Sequence, residues 1–205
     1  MPSQPFGNLK RNVAELERQF LNFEKRGDGK YTRHELTQCR AFIAFCHSEV
    51  EIYLETMALR VVDRAEKVWQ NRGKIVNAAA AMVAYRGIRE VSLPDDPTNQ
   101  AGRNRFSTII GGAIAAHRAA IRRNHGIKRK DIAELYIPLG LDPTKFSETL
   151  LIQLDKLGSR RGDHVHQSSK VSLPSIRDPF DDEQKDIRFL LLELEAFDEL
   201  AQKVR

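Results

Sequence analysis

Residues 36–69 read LTQCRAFIAFCHSEVEIYLETMALRVVDRAEKVW, and this stretch decides the fold. Leu36, Cys39, Ile43, Cys46, Val50, Tyr53, Met57, Val61, Ala65 and Val68 recur at intervals of three or four, the spacing of one face of an α-helix. At about 1.5 Å per residue, the helix that carries them to Trp69 should be roughly 55 Å long. A helix of that length buries such a stripe by packing lengthwise in a bundle or across a dimer.

Working outward, Thr32-Arg33-His34-Glu35 has the capping-box spacing, in which hydroxyl and carboxylate satisfy the open amides of a helix start. Before it, a first helix is expected from Asn8 to Lys25, stopped by Gly27-Asp28-Gly29. After it, a third helix is expected over Lys74 to Val91, with the small Ala78 to Ala81 permitting close contact, and Ser92 to Pro97 reads as a loop. A fourth, Asn99 to Asn124, should bury Phe106, Ile109, Ala113, Ile114 and Ile121, with Gly126 as its left-handed cap. A short helix runs from Asp131 towards Pro138. Asp142-Pro143 and Asp178-Pro179 each pair an N-cap acid with a proline suited to the first helical position, so each should open a helix. The last carries the stripe Ile187, Leu190, Leu194, Phe197 and Val204. No segment alternates as a strand does. The expected fold is all-α: a helical bundle with a long second helix and no β-sheet. Residues 1–205 are read as one domain, with 1–28 as N-terminal helix and turn and 172–205 as an acidic C-terminal helix on the bundle.

At 205 residues, with 41% hydrophobic and 30% charged, the chain can bury a core without a metal or disulfide staple. No window approaches the 18 or so apolar residues of a membrane span, and the first twenty residues lack the apolar core of a signal peptide. A cytoplasmic protein without membrane association is expected. Cys39 and Cys46 are the only cysteines and share one helix stripe about 10 Å apart, beyond disulfide reach. They read as reduced core residues.

Charge is unevenly placed. Pro97 to Lys130 contains no Asp or Glu but holds Arg103, Arg105, Arg118, Arg122, Arg123, Lys128, Arg129 and Lys130. From Asp178 onward nine acids face four bases, a local net of −5. An acid-free basic stretch suits a polyanion, with Arg118, Arg122, Arg123, Lys128, Arg129 and Lys130 as the contacts. A merely solvated cationic face explains the same composition.

Chemistry narrows to one place. Glu24 to Glu35 has the length of a calcium loop, but Arg26 stands where an oxygen ligand is required. No paired Cys-x-x-Cys, phosphate loop or nucleophile elbow occurs. What remains is Leu157-Gly158-Ser159-Arg160-Arg161-Gly162-Asp163-His164-Val165-His166. The helix leading into it carries Phe146, Leu150, Leu154 and Leu157, and the same stripe continued would carry Arg161 and Val165. A guanidinium there needs a carboxylate partner or an exposed cleft. Gly158 and Gly162 suggest a loosened turn or a close approach. Fixed positive charge beside groups that titrate near neutrality is what phosphodiester cleavage requires. A surface turn whose cations sit on the helix dipole fits equally well.

This arrangement resembles the HEPN superfamily, and within it the RiboL-PSP-like prokaryotic members. Their signature is Arg, four to six residues, then His, near the end of an apolar helix. Arg161 to His166 has four intervening residues and follows such a helix. Asn124-His125-Gly126-Ile127-Lys128, Pro138-Leu139-Gly140 and Ser48-Glu49-Val50-Glu51 are also similar to such members, so the resemblance covers roughly residues 33 to 170. The chain departs from the pattern at Gly162, where a polar residue is usual, and at Val165, where Ala is common.

The resemblance implies a metal-independent endoribonuclease, without cofactor, acting as a homodimer whose two motifs line one cleft. It also implies that the polyanion met by the basic stretch is RNA. It implies a toxin or defence effector held by an antitoxin or regulatory partner; other members only bind RNA, nucleotides or proteins. In the catalytic case Arg161 would stabilise charge on the phosphorane and His166 would move the proton, supported by Arg160, Asp163 and His164. On an ideal helix His164 lies about 60° from Arg161 and His166 about 140°. The family pattern selects His166, and the two glycines make an ideal helix doubtful.

Overall fold

Thr32 Oγ1 accepts from the Glu35 N–H at 3.2 Å while Glu35 Oε2 accepts from the Thr32 N–H at 2.6 Å, so the capping box forms as its spacing requires. From it α2 (Arg33–Arg72) runs for 40 residues, about 60 Å. Gly73 ends it at φ 60°, its N–H donating to the Trp69 carbonyl at 2.9 Å. The positive φ suits a residue without Cβ. The computed structural model describes residues 1–86, 100–166 and 177–204, and the side chains of these except at 100–106 and 162–166. Among the described residues there are seven α-helices and no strand, so the fold is all-α.

The stripe on α2 is buried from Cys39 to Ala65, with Leu36 and Val68 half-buried at its ends. Phe42, Leu54, Ala58 and Val62 are buried as well. Each is adjacent in sequence to a stripe residue, so doublets such as Phe42-Ile43 and Val61-Val62 widen the buried face by about 100°.

The chain forms two compact units, and α2 contributes to both. The first comprises residues 1–54, 126–130 and 146–199. In it α1 (Gln4–Phe20) buries Phe6, Leu9 and Val13. It begins and ends earlier than the sequence reading had it, because Ser3 caps it, accepting from the Phe6 N–H at 3.2 Å, and Pro5 occupies its first turn. Buried Asp198 receives the Ser3 N–H at 2.7 Å, the Ser3 hydroxyl at 2.5 Å and the Tyr53 hydroxyl at 3.0 Å, so one carboxylate fastens the N-terminus and α2 to the last helix. α6 (Glu148–His166) starts at Ser147, whose hydroxyl accepts from the Leu150 N–H at 3.3 Å. Asp178 opens a wide turn over Pro179–Gln184, accepting from the amides of Phe180 and Asp181, and this runs directly into α7 (Lys185–Gln202).

The second unit comprises residues 55–125, 131–145 and 200–205. α3 (Asn77–Arg86) packs its buried Ala78, Ala79 and Met82 against α4 (Gln100–Arg122) and a tight turn at Ile137–Leu139. α5 (Arg129–Tyr136) leads into that turn. At Gly140, φ 84°, an added Cβ would lie 3.3 Å from the Ala81 Cβ, so both conformation and space require glycine. Two expectations are corrected. Gly126 is not in the left-handed region; α4 closes instead with the Asn124 N–H on the Ile121 carbonyl at 3.0 Å. Asp142-Pro143 opens only the short turn Pro143–Lys145, with Asp142 accepting from the Thr144 N–H at 2.9 Å. The part of the third helix beyond Arg86, the Ser92 to Pro97 loop and the side chains of Arg103, Arg105 and Phe106 lie outside the described residues.

Candidate nucleic-acid site

α6 is amphipathic up to Leu157, with Leu150, Leu154 and Leu157 buried and Phe146, just before it, stacked on Phe197 at 6.0 Å. The helix then continues through Gly158 and Gly162 to His166 without a break. That corrects the expectation of a loosened turn. Gly158 has another role: a Cβ there would lie 2.9 Å from Lys128 Cγ and 3.1 Å from its Cε, so the lysine stem crosses the helix at this point.

Arg160 and Arg161 have opposite fates. Arg160, 17% exposed, donates to Glu183 at 2.6 Å and Asp186 at 2.5 Å. Arg177 completes the cluster, reaching the same carboxylates at 3.1 and 2.6 Å. Burial works against the Asp186 charge, but hydrogen bonds and charge from Arg160 and Arg177 outweigh it and hold this carboxyl below its ordinary range. Arg160 therefore fastens α6 to the turn before α7. Arg161 is half-buried, and among the described residues no carboxylate pairs with it. The side chains of Asp163, His164 and His166 lie outside the described residues.

The six basic residues assigned to RNA divide between the units. In the second, Arg118 spends its guanidinium on Asp63 at 2.6 Å and Glu66 at 2.5 Å, while Arg122 and Arg123 are exposed and without a partner among the described residues. In the first, Arg129 forks onto Glu148 and lies 3.8 Å from Asp155, Lys128 lies over Gly158, and Lys130 is exposed. Linear charge counting located the cations but not their acids, which come from Asp63 and Glu66, far upstream, and from Glu148 and Asp155.

Other nucleophiles and ligands are committed elsewhere. Cys39 and Cys46 are fully buried thiols. Burial, foremost, pushes both up, Cys39 to about 12, so neither is a thiolate near neutrality. Arg26 donates to Glu35 Oε1 at 2.7 Å, placing the cation of the calcium-like stretch on its own terminal acid. Among the described residues no group of three or more His, Cys, Asp or Glu is placed to hold a metal ion, and no helix is long and apolar enough to cross a membrane.

Fold and site together define an all-α protein whose sixth helix carries, five residues before a histidine, an arginine without a carboxylate partner among the described residues, next to an ion-paired one. The chain matches no family model, no curated protein and no solved structure.

Proposed function

We propose that this chain is a metal-independent endoribonuclease of the HEPN kind, a cytoplasmic toxin or defence effector that works as a homodimer and is restrained by a partner protein. The observation that supports it is the division of labour between adjacent arginines: Arg160 is consumed by Glu183 and Asp186, leaving Arg161 as the guanidinium able to meet a phosphate. In this reading Arg161 stabilises the phosphorane oxygens while His166 moves the proton of the ribose 2′-hydroxyl or the leaving oxygen. DNA lacks that internal nucleophile and is spared.

Because α6 is continuous to His166, positions 161 and 166 lie about 140° apart around its axis. One chain alone therefore presents the pair on different sides, which is why the reading requires two chains at the cleft. The same observation favours, as a second reading, a non-catalytic RNA-binding or protein-interaction module.

Incubating RNA with the protein in EDTA separates the two. Cleavage should occur, and Arg161→Ala and His166→Ala should each reduce it about a hundredfold or more, the scale of losing a positioned charge or acid-base group. His164→Ala should retain activity. Loss of cleavage in folded His164→Ala with normal cleavage by His166→Ala would move the proton-transfer role to position 164. Absence of cleavage by the parent chain leaves the binding module.

A further inference from the structure

α7 carries two stripes. Ile187, Leu190, Leu194, Phe197 and Ala201 are buried and make its inner side. Lys185, Phe189, Leu192, Ala196 and Glu199 recur at intervals of four and three, and all five are exposed, Phe189 by 41% and Leu192 by 65%. At about 100° per residue they fall within an arc of about 80°, on the side of the helix opposite the buried stripe. The outer side of an amphipathic helix is ordinarily polar. Here its middle is apolar, and the alternation of four and three is that of a seam between paired helices.

Charge along this seam selects the partner. It begins with a cation, Lys185, ends about 21 Å later with an anion, Glu199, and is apolar between them at Phe189, Leu192 and Ala196. A second α7 laid alongside in parallel would set Lys185 against Lys185 and Glu199 against Glu199. Turned about a two-fold axis at Leu192, the same helix sets each Lys185 against the other chain's Glu199, seven residues on either side of the axis. Leu192 then meets Leu192, and Phe189 falls against the turn holding the small Ala196. A surface complementary to itself in this way is what an isologous contact requires. Both charges can serve it. Lys185 Nζ donates to Asp181 at 2.7 Å, but Asp181 also receives Lys25 at 2.6 Å, so Lys185 can turn away without stranding that carboxylate. Glu199 is exposed and has no ion-pair partner among the described residues.

We propose that the outer face of α7 receives a second copy of this chain, the two helices pairing antiparallel about an axis at Leu192. In naming where a second chain sits, the inference rests on the two-chain state of the ribonuclease reading; its evidence is the α7 face alone.

Sedimentation of the full chain tests it by charge reversal. Lys185→Glu and Glu199→Lys should each weaken self-association about tenfold or more, because each sets like charges against one another across the axis. Mixed in equal amounts, the two variants should associate with each other as the parent does, since every opposed pair is again of opposite sign. The double variant Lys185→Glu/Glu199→Lys should self-associate for the same reason, which shows that the single changes do not act by unfolding. Parent-like association of both single variants, or a mixture no tighter than either alone, overturns the proposal, as does a parent chain that is monomeric at micromolar concentration. RNA cleavage by the parent alongside any of these results would remove the α7 seam and leave the nuclease reading. Charge-dependent pairing in a chain that cleaves nothing would do the reverse.

Discussion

His117 is fully buried in α4, with Nε2 3.1 Å from the Leu135 carbonyl and Nδ1 3.3 Å from an Arg86 nitrogen. Arginine only donates, so Nδ1 accepts and Nε2–H is left to donate to Leu135; the ring is neutral. Burial, and then the Arg86 charge, lower its pKa to about 4. An unfolded histidine keeps the ordinary value near 6.5, so below that pH the unfolded chain binds the extra proton. The stability His117 contributes is complete above about 6.5 and is lost as pH falls towards about 4, by up to about 1.4 kcal/mol per pH unit. Denaturant midpoints measured between pH 7 and 5 should fall in the parent chain and fall less in a folded His117→Gln variant. Parallel profiles would mean that His117 is not the group responsible.

On α6 the last buried leucine is Leu157, and the next described anchor is ionic, Arg160 on Glu183 and Asp186. Glu183 is almost fully buried and accepts from two arginines, so removing its charge leaves both guanidinium groups sharing Asp186 as their one carboxylate in the cluster. Glu183→Gln should cost about 3 kcal/mol in chemical denaturation, the low end for breaking a buried pair. A loss below about 0.5 kcal/mol would assign the cluster the small worth of an exposed pair. The folded Asp186 pKa is depressed, so its contribution is present above the unfolded carboxylate value and disappears as pH falls through the folded one.

For the whole molecule, the proposed mechanism stands on two chains. With positions 161 and 166 on different sides of a continuous α6, a dimer is the arrangement that brings one chain's arginine and the other's histidine to a common phosphate. Sedimentation at micromolar concentration should give twice the 23.4 kDa chain mass. Mixing Arg161→Ala with His166→Ala chains should restore part of the cleavage that each has lost, because a shared cleft contains one intact pair. A monomer that cleaves RNA would refute the shared cleft while sparing the nuclease reading.

The sequence by itself determined the local structure: the 3–4 spacing on α2, the Thr32–Glu35 box and the Asp178-Pro179 start are short-range physics, complete within a few residues. It also placed Cys39 and Cys46 in the core. Helix edges depended on competing caps, which is why Ser3 and Ser147 displaced the starts expected near Asn8 and Asp142. Only the tertiary structure decided which cations remain available. Arg118, Arg129 and Arg160 resemble Arg122, Arg123 and Arg161 as letters, yet the first three meet acids from other elements and the last three meet none among the described residues. Gly158 likewise reads as a helix breaker until Lys128 is seen lying across it. Coulomb partners and close approaches are set by distances between segments far apart in the chain, and no spacing within one helix encodes them.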